Sequence, residues 1–187
     1  MTKAIQIKIT LLDVKPPVWR RLLIKDDITL NQLHYNIQAA MPWTNSHLHE
    51  FEIKKQYYAP LSEYDDIDGV EDRKDTDIPL SSLNLREGDK ILYIYDFGDY
   101  WCHQILIEKI TPVDDTQVYP VCIKASRACP PEDCGGFSQY IELQQQLADK
   151  SHPEYDDAVE FLGENFDPAY VSLEDINEAL HSEPIEI

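Results

Sequence analysis

Ile5, Ile7, Ile9 and Leu11 stand at every second position near the start of the chain, with Gln6, Lys8 and Thr10 between them. A period of two places the four aliphatic side chains on one face of a strand and the polar ones on the other. Lys15-Pro16-Pro17 ends the run, because proline donates no ladder hydrogen bond. Val18 to Ile24 then reads as a second strand, so the two form a hairpin with one apolar face to cover. The next segment supplies a cover. Thr29 is a plausible N-cap, and Leu30, Leu33, Ile37, Ala40 and Met41 follow at helical spacing before Pro42 stops the helix. His47 to Ile53 alternates again and reads as a third strand.

Residues 54–78 contain three tyrosines and a dense acidic run from Glu63 to Asp77, and read as a long surface loop. Ile78-Pro79-Leu80 with Leu83 suggests a short helical turn, and Glu87-Gly88 a turn. Lys90 to Tyr95 and Trp101 to Ile110 make a second hairpin around Phe97-Gly98-Asp99. Beyond it the chain changes character. Cys129-Pro130-Pro131-Glu132-Asp133-Cys134-Gly135-Gly136 is rigid and irregular, and three helices are expected after it. Tyr140, Leu143 and Leu147 mark the first. His152-Pro153 opens the second, with Gly163 after its end. Ser172 and Asp175 resemble a capping box for the third, whose apolar side is Leu173, Ile176 and Leu180.

These elements define an α+β chain. The expected architecture is a mixed β-grasp-like sheet with one packed helix over residues 1–112, including the acidic loop 54–78. Residues 113–187 are expected to add the Cys/Pro-rich segment and C-terminal helices packed on the same domain. The β-grasp label is an analogy from element order.

Charge narrows the function. The 187 residues carry 16 Lys+Arg and 35 Asp+Glu, a net charge of −19. Residues 1–58 hold 8 basic and 5 acidic side chains, whereas residues 59–187 hold 8 and 30. A duplex phosphate backbone is repelled by the second part, so double-stranded DNA is disfavoured as a partner. No apolar run approaches the roughly 20 residues of a membrane span, and MTKAIQIKIT lacks the apolar region of a signal peptide. The expectation is a cytoplasmic protein with no membrane association. In that compartment Cys102, Cys122, Cys129 and Cys134 are expected to be free thiols rather than disulfides.

Four stretches resemble the plasmid pRiA4b ORF-3-like family, and the resemblance runs along nearly the whole chain. They are Ile7 to Leu22 with its Pro-Pro-Val-Trp-Arg core, His47 to Phe51, Tyr95-Asp96-Phe97-Gly98-Asp99 with Trp101 and His103, and Arg127 to Gly136. The resemblance implies little about activity beyond a resolvase-like label linked to mobile elements. The residues do not support recombination chemistry. A tyrosine recombinase needs His-x-x-Arg to neutralise the scissile phosphate, and none of the six histidines has arginine three residues later. A serine recombinase needs an early serine among arginines; the first serine is Ser46, with no arginine within 20 residues.

Other motifs are incomplete. Cys129-x4-Cys134 has no obvious second pair, so no metal site, and in particular no tightly held structural zinc, is expected there. Trp19-Arg20-Arg21 with Lys8, Lys15 and Lys25 is a candidate basic, aromatic strip for single-stranded nucleic acid, or an ordinary solvated strand face. His47 and His49 share a strand face and form an incomplete ligand pair.

The strongest candidate surface is where the hairpin Asp96 to His103 meets Arg127 to Gly136. Alternation puts Trp101 and His103 on one face, and Asp96 and Asp99 bracket a glycine turn. Turns on a rigid sheet commonly present binding groups. The expected binding residues are Asp96, Asp99, Trp101, His103, Arg127, Glu132 and Asp133. The rival account is an internal lock, with Arg127 paired to the acids. No nucleophile–base constellation, phosphate loop or dinucleotide fingerprint is present. The leading expectation is therefore a non-catalytic binding or adaptor module for an unknown protein or small molecule, with no cofactor. The alternative is a metal-dependent hydrolase or nuclease using a divalent ion at Asp96, Asp99 and His103 with Glu132 and Asp133. A resolvase-like DNA role comes third.

Overall fold

The computed structural model describes residues 1–61 and 72–182. The alternating segments become β1 (Lys3–Leu11) and β2 (Trp19–Lys25), paired antiparallel from Ala4↔Lys25 to Thr10↔Trp19. Ile5, Ile7, Ile9 and Leu11 are all buried, each contributing roughly 1.5–3 kcal/mol. Helix α1 (Leu30–Ala40) lies across that face and joins Leu30, Leu33, Ile37 and Ala40 to the same core. Its cap is fuller than expected: Thr29 Oγ1 accepts from the Gln32 amide while Gln32 Oε1 accepts from the Thr29 amide.

The remaining strands are β3 (His49–Ile53), β4 (Gln56–Ala59), β5 (Lys74–Asp75), β6 (Lys90–Tyr95), β7 (Trp101–Pro112) and β8 (Val121–Ser126). Together they form one eight-stranded sheet in the order β5-β4-β3-β6-β7-β1-β2-β8. Pairing is antiparallel throughout except between β4 and β5. The class is thus α+β with a mostly antiparallel sheet and four α-helices among the described residues; the β-grasp label is not confirmed by this arrangement.

Three strands, β4, β5 and β8, differ from the sequence expectation. Lys54-Lys55 is a two-residue turn with positive φ at both positions, 51° and 67°, joining β3 directly to β4 through Ile53↔Gln56. Such turns are signalled by Asn-Gly, and two lysines hide one. The expected loop therefore has strands at both ends, and its centre, residues 62–71, lies outside the described residues. At the other edge β8 pairs only with β2. Asn177 protects its outer side by accepting from the Cys122 amide at 2.7 Å and donating to the Cys122 carbonyl at 3.0 Å.

Asn177 belongs to α4 (Leu173–His181), which packs on α1 and β8, while α2 (Gly136–Leu147) and α3 (Tyr155–Leu162) pack on each other. In α4, Ile176 and Leu180 are buried but Leu173 is exposed, and Ser172 Oγ accepts from the Asp175 amide. No helix among the described residues is long and apolar enough to cross a membrane.

Candidate functional site

The two segments singled out by composition do meet. Asp96 and Tyr100 have positive φ, 57° and 58°, which folds the β6–β7 connection tightly. Asp96 Oδ1 accepts from the Gly98 amide at 2.8 Å, an Asx turn. Asp99 then reaches across, its Oδ2 accepting from the Gly135 amide at 3.0 Å. Behind it the Asp99 carbonyl sits against Gly136, where a Cβ would stand only 2.6 Å away.

His47, just before β3, joins this junction. Its Nε2 lies 2.9 Å from Asp133 Oδ1 and 3.8 Å from Asp96 Oδ2. The three ligand-type atoms all fall within 4.8 Å of one another. Asp133 is well exposed, whereas Asp96 is buried.

Glu132 is turned elsewhere. It accepts from the Thr44 amide at 2.7 Å, from Thr44 Oγ1 at 2.6 Å and from the Tyr95 hydroxyl in a very short contact. Burial, and next the Glu132 carboxylate, push the Tyr95 phenol well above its ordinary value, so it acts as a donor to Glu132. Trp43 completes the attachment: its indole N–H donates to the Pro130 carbonyl at 2.9 Å and its ring stacks on Tyr95 at 5.2 Å.

Three of the expected residues play other parts. His103 lies in the core, with Nδ1 3.1 Å from the Trp101 carbonyl and its ring edge-on to Trp43. Burial drives its pKa down to about 3, so it stays neutral. Trp101 is buried beside it. The alternation was read correctly, but the shared face is the covered one, so neither stands at the rim. Arg127, at φ 69°, makes no hydrogen bond or ion pair among the described residues. The proposed pairing of Arg127 with the acids is therefore not present there; backbone amides, Thr44 and Tyr95 satisfy Asp99 and Glu132 instead. His47 was noted only as half of a pair with His49. Its partners are separated from it by some 50 and 86 positions, a relation no local spacing reveals.

The basic strip is broken. Arg20 points inward with Leu22 and Ile24, and donates to the carbonyls of Ala40, Trp19 and Ser126. Arg21 is held by Glu108 in a bidentate pair at 2.6 and 2.8 Å. What matches the pattern is Trp19 with Lys8 and Arg21 over its ring, and Lys25 over Tyr119. All four cysteines are free, and burial pushes the Cys129 and Cys134 thiols up to about 12.

The chain belongs to the plasmid pRiA4b ORF-3-like family, whose model matches residues 3–175. An uncharacterised protein, y4hQ, of Sinorhizobium fredii is 36% identical over 182 residues, covering 96% of this chain and 92% of that one. The crystal structure of a protein of unknown function, MM3350, from Methanosarcina mazei superposes with a TM-score of 0.83 at 34% identity, covering 94% of this chain and 98% of its own.

Proposed function

We propose that the chain is a non-catalytic binding module whose binding surface is the junction of the β6–β7 turn, His47 and the segment 127–136. Its hairpin–helix–strand order supports a β-grasp-like description of the scaffold. The observation that carries the functional reading is the division of labour among the polar groups. Asp99, Glu132 and Tyr95 are spent on holding the two segments together, and His103 is a buried neutral base with no path to solvent. The Cys129 and Cys134 thiols are held protonated, so neither is a ready nucleophile. His47, Asp96 and Asp133 remain facing one another, Asp133 exposed, His47 partly exposed and Asp96 buried.

Beside them a cavity of about 360 Å³ opens between α1 and α4, walled by Tyr35, Ala39, Trp43, Thr44 and Leu180. Its mostly apolar wall with a few polar groups suits a small organic ligand. Thr44 belongs to both places, since it also binds Glu132. The net charge disfavours a duplex DNA partner.

The metal-dependent hydrolase or nuclease reading, expected at Asp96, Asp99 and His103 with Glu132 and Asp133, would have to use His47 with Asp96 and Asp133 instead, because His103 is buried. It is tested by incubating the full chain with Mg2+, Mn2+ or Zn2+ and either bis(p-nitrophenyl) phosphate or single-stranded DNA near neutral pH. No turnover above the metal alone is expected. Turnover that Asp133→Asn abolishes would replace the binding reading with the hydrolytic one.

A further inference from the structure

We propose that His47 Nε2, Asp96 Oδ2 and Asp133 Oδ1 form an exchangeable binding site for a first-row divalent cation, which staples the β6–β7 turn to the segment 127–136. The inference rests on the reading of this junction as the binding surface and names the ion that completes it.

Three observations converge. The donor set is mixed: one imidazole nitrogen and two carboxylate oxygens, which suits Zn2+, Mn2+ or Co2+ better than Ca2+. The two separations from His47 suit an ion, and all three donor atoms lie within 4.8 Å of one another. Tetrahedral bonds of about 2.0–2.1 Å put neighbouring donors roughly 3.3 Å apart, and the separations of 2.9 and 3.8 Å from His47 Nε2 bracket that value. A small side-chain rotation suffices, because the Asp133 side chain is largely exposed and its contact is to His47 itself.

The third observation is independent of the clustering. Asp96 is 8% exposed, and its Oδ1 is taken by the Gly98 amide. Its Oδ2 has no hydrogen-bond donor among the described residues and points at His47 from 3.8 Å. A largely buried carboxylate with one oxygen left open to water is a favourable place for a cation. No lysine or arginine among the described residues pairs with Asp96 or Asp133, so two negative charges converge on the imidazole uncompensated.

A divalent ion would cancel those two charges. Three protein ligands leave at least one coordination position for water, or for an oxygen or nitrogen donor of a bound partner. The ligands come from the loop leading into β3, the β6–β7 turn and the segment before α2, so the ion ties together parts distant in sequence.

The rival is that a protonated His47 is itself the cation between the two carboxylates, with no metal bound. Chelator-treated full-length protein titrated with Co2+, followed by calorimetry and by visible absorption, separates them. The expected result is one ion per chain with N/O-type d–d bands, weakened about tenfold or more by His47→Gln and by Asp133→Asn, and unchanged by the remote Glu164→Gln. Asp133 is exposed, so its variant folds and keeps the test informative. No binding would overturn the proposal, as would binding indifferent to both variants, or a thiolate charge-transfer band that assigns the ion to the cysteines. A negative result leaves the binding-module reading standing, because the hydrolysis assay decides that separately.

Discussion

The carbonyl oxygen of Asp99 lies 2.6 Å from the position a Cβ on Gly136 would occupy. The neighbour is backbone and cannot turn aside, and Gly136 also sits at φ +75°, where a side chain is strained. A glycine at the first position of α2 is thus what lets the β6–β7 turn dock onto the segment 127–136.

Gly136→Ala is therefore expected to destabilise the protein by about 2 kcal/mol or more, through clash and strain together. Urea unfolding of the variant checks this. A midpoint equal to the wild type would mean that the junction is looser than its geometry implies.

Alanine at the neighbouring polar residues should divide them by role. Glu132→Ala removes the acceptor for Thr44 and Tyr95, and Asp99→Ala removes the acceptor for the Gly135 amide. Each is expected to cost about 1.5–3 kcal/mol, the range for hydrogen bonds to a charged group. Arg127→Ala, losing no bonded partner among the described residues, should stay within about 0.5 kcal/mol. A loss at Arg127 as large as at Glu132 in thermal melts would restore the ion-pair lock.

Buried histidines should dominate the mild-acid limb of stability. His34 stacks on His49 at 3.5 Å and binds Tyr93 and Asn45, and burial lowers its pKa from 6.5 to about 4. Because the folded value is depressed, the unfolded chain takes the proton first. The contribution is at its most favourable above pH 6.5, shrinks as pH falls through that window and is fully lost below about 4. One such group is worth roughly 3 kcal/mol. Denaturant midpoints for wild type and His34→Gln between those limits should show the flatter pH slope in the variant. Parallel curves would refute the assignment.

The thiols are expected to be slow. Burial raises all four cysteine pKa values, Cys129 and Cys134 up to about 12. Native protein near neutral pH should therefore react sluggishly with a disulfide reagent, and all four thiols should appear only on denaturation. Rapid stoichiometric labelling of Cys129 or Cys134 in the native state would contradict their placement.

Residue order alone determined β1, β2 and α1, because each signal is local: a period of two, a period of 3.6, a Thr29 cap and prolines at the breaks. It also brought out the two segments that meet, since Gly, Pro and Asp accumulate where neither helix nor strand needs them. Periodicity says which side chains share a face, not which face is covered. His103 and Trp101 were therefore placed at a rim and lie in the core, and Arg20 was placed on a basic strip and lies among carbonyls. β8 was missed because a short edge strand owes its stability to β2 and to Asn177 rather than to its own pattern. The convergence of His47 with Asp96 and Asp133 belongs to the tertiary structure alone. Three residues far apart along the chain acquire a common chemistry only when the β6–β7 turn docks on Gly136.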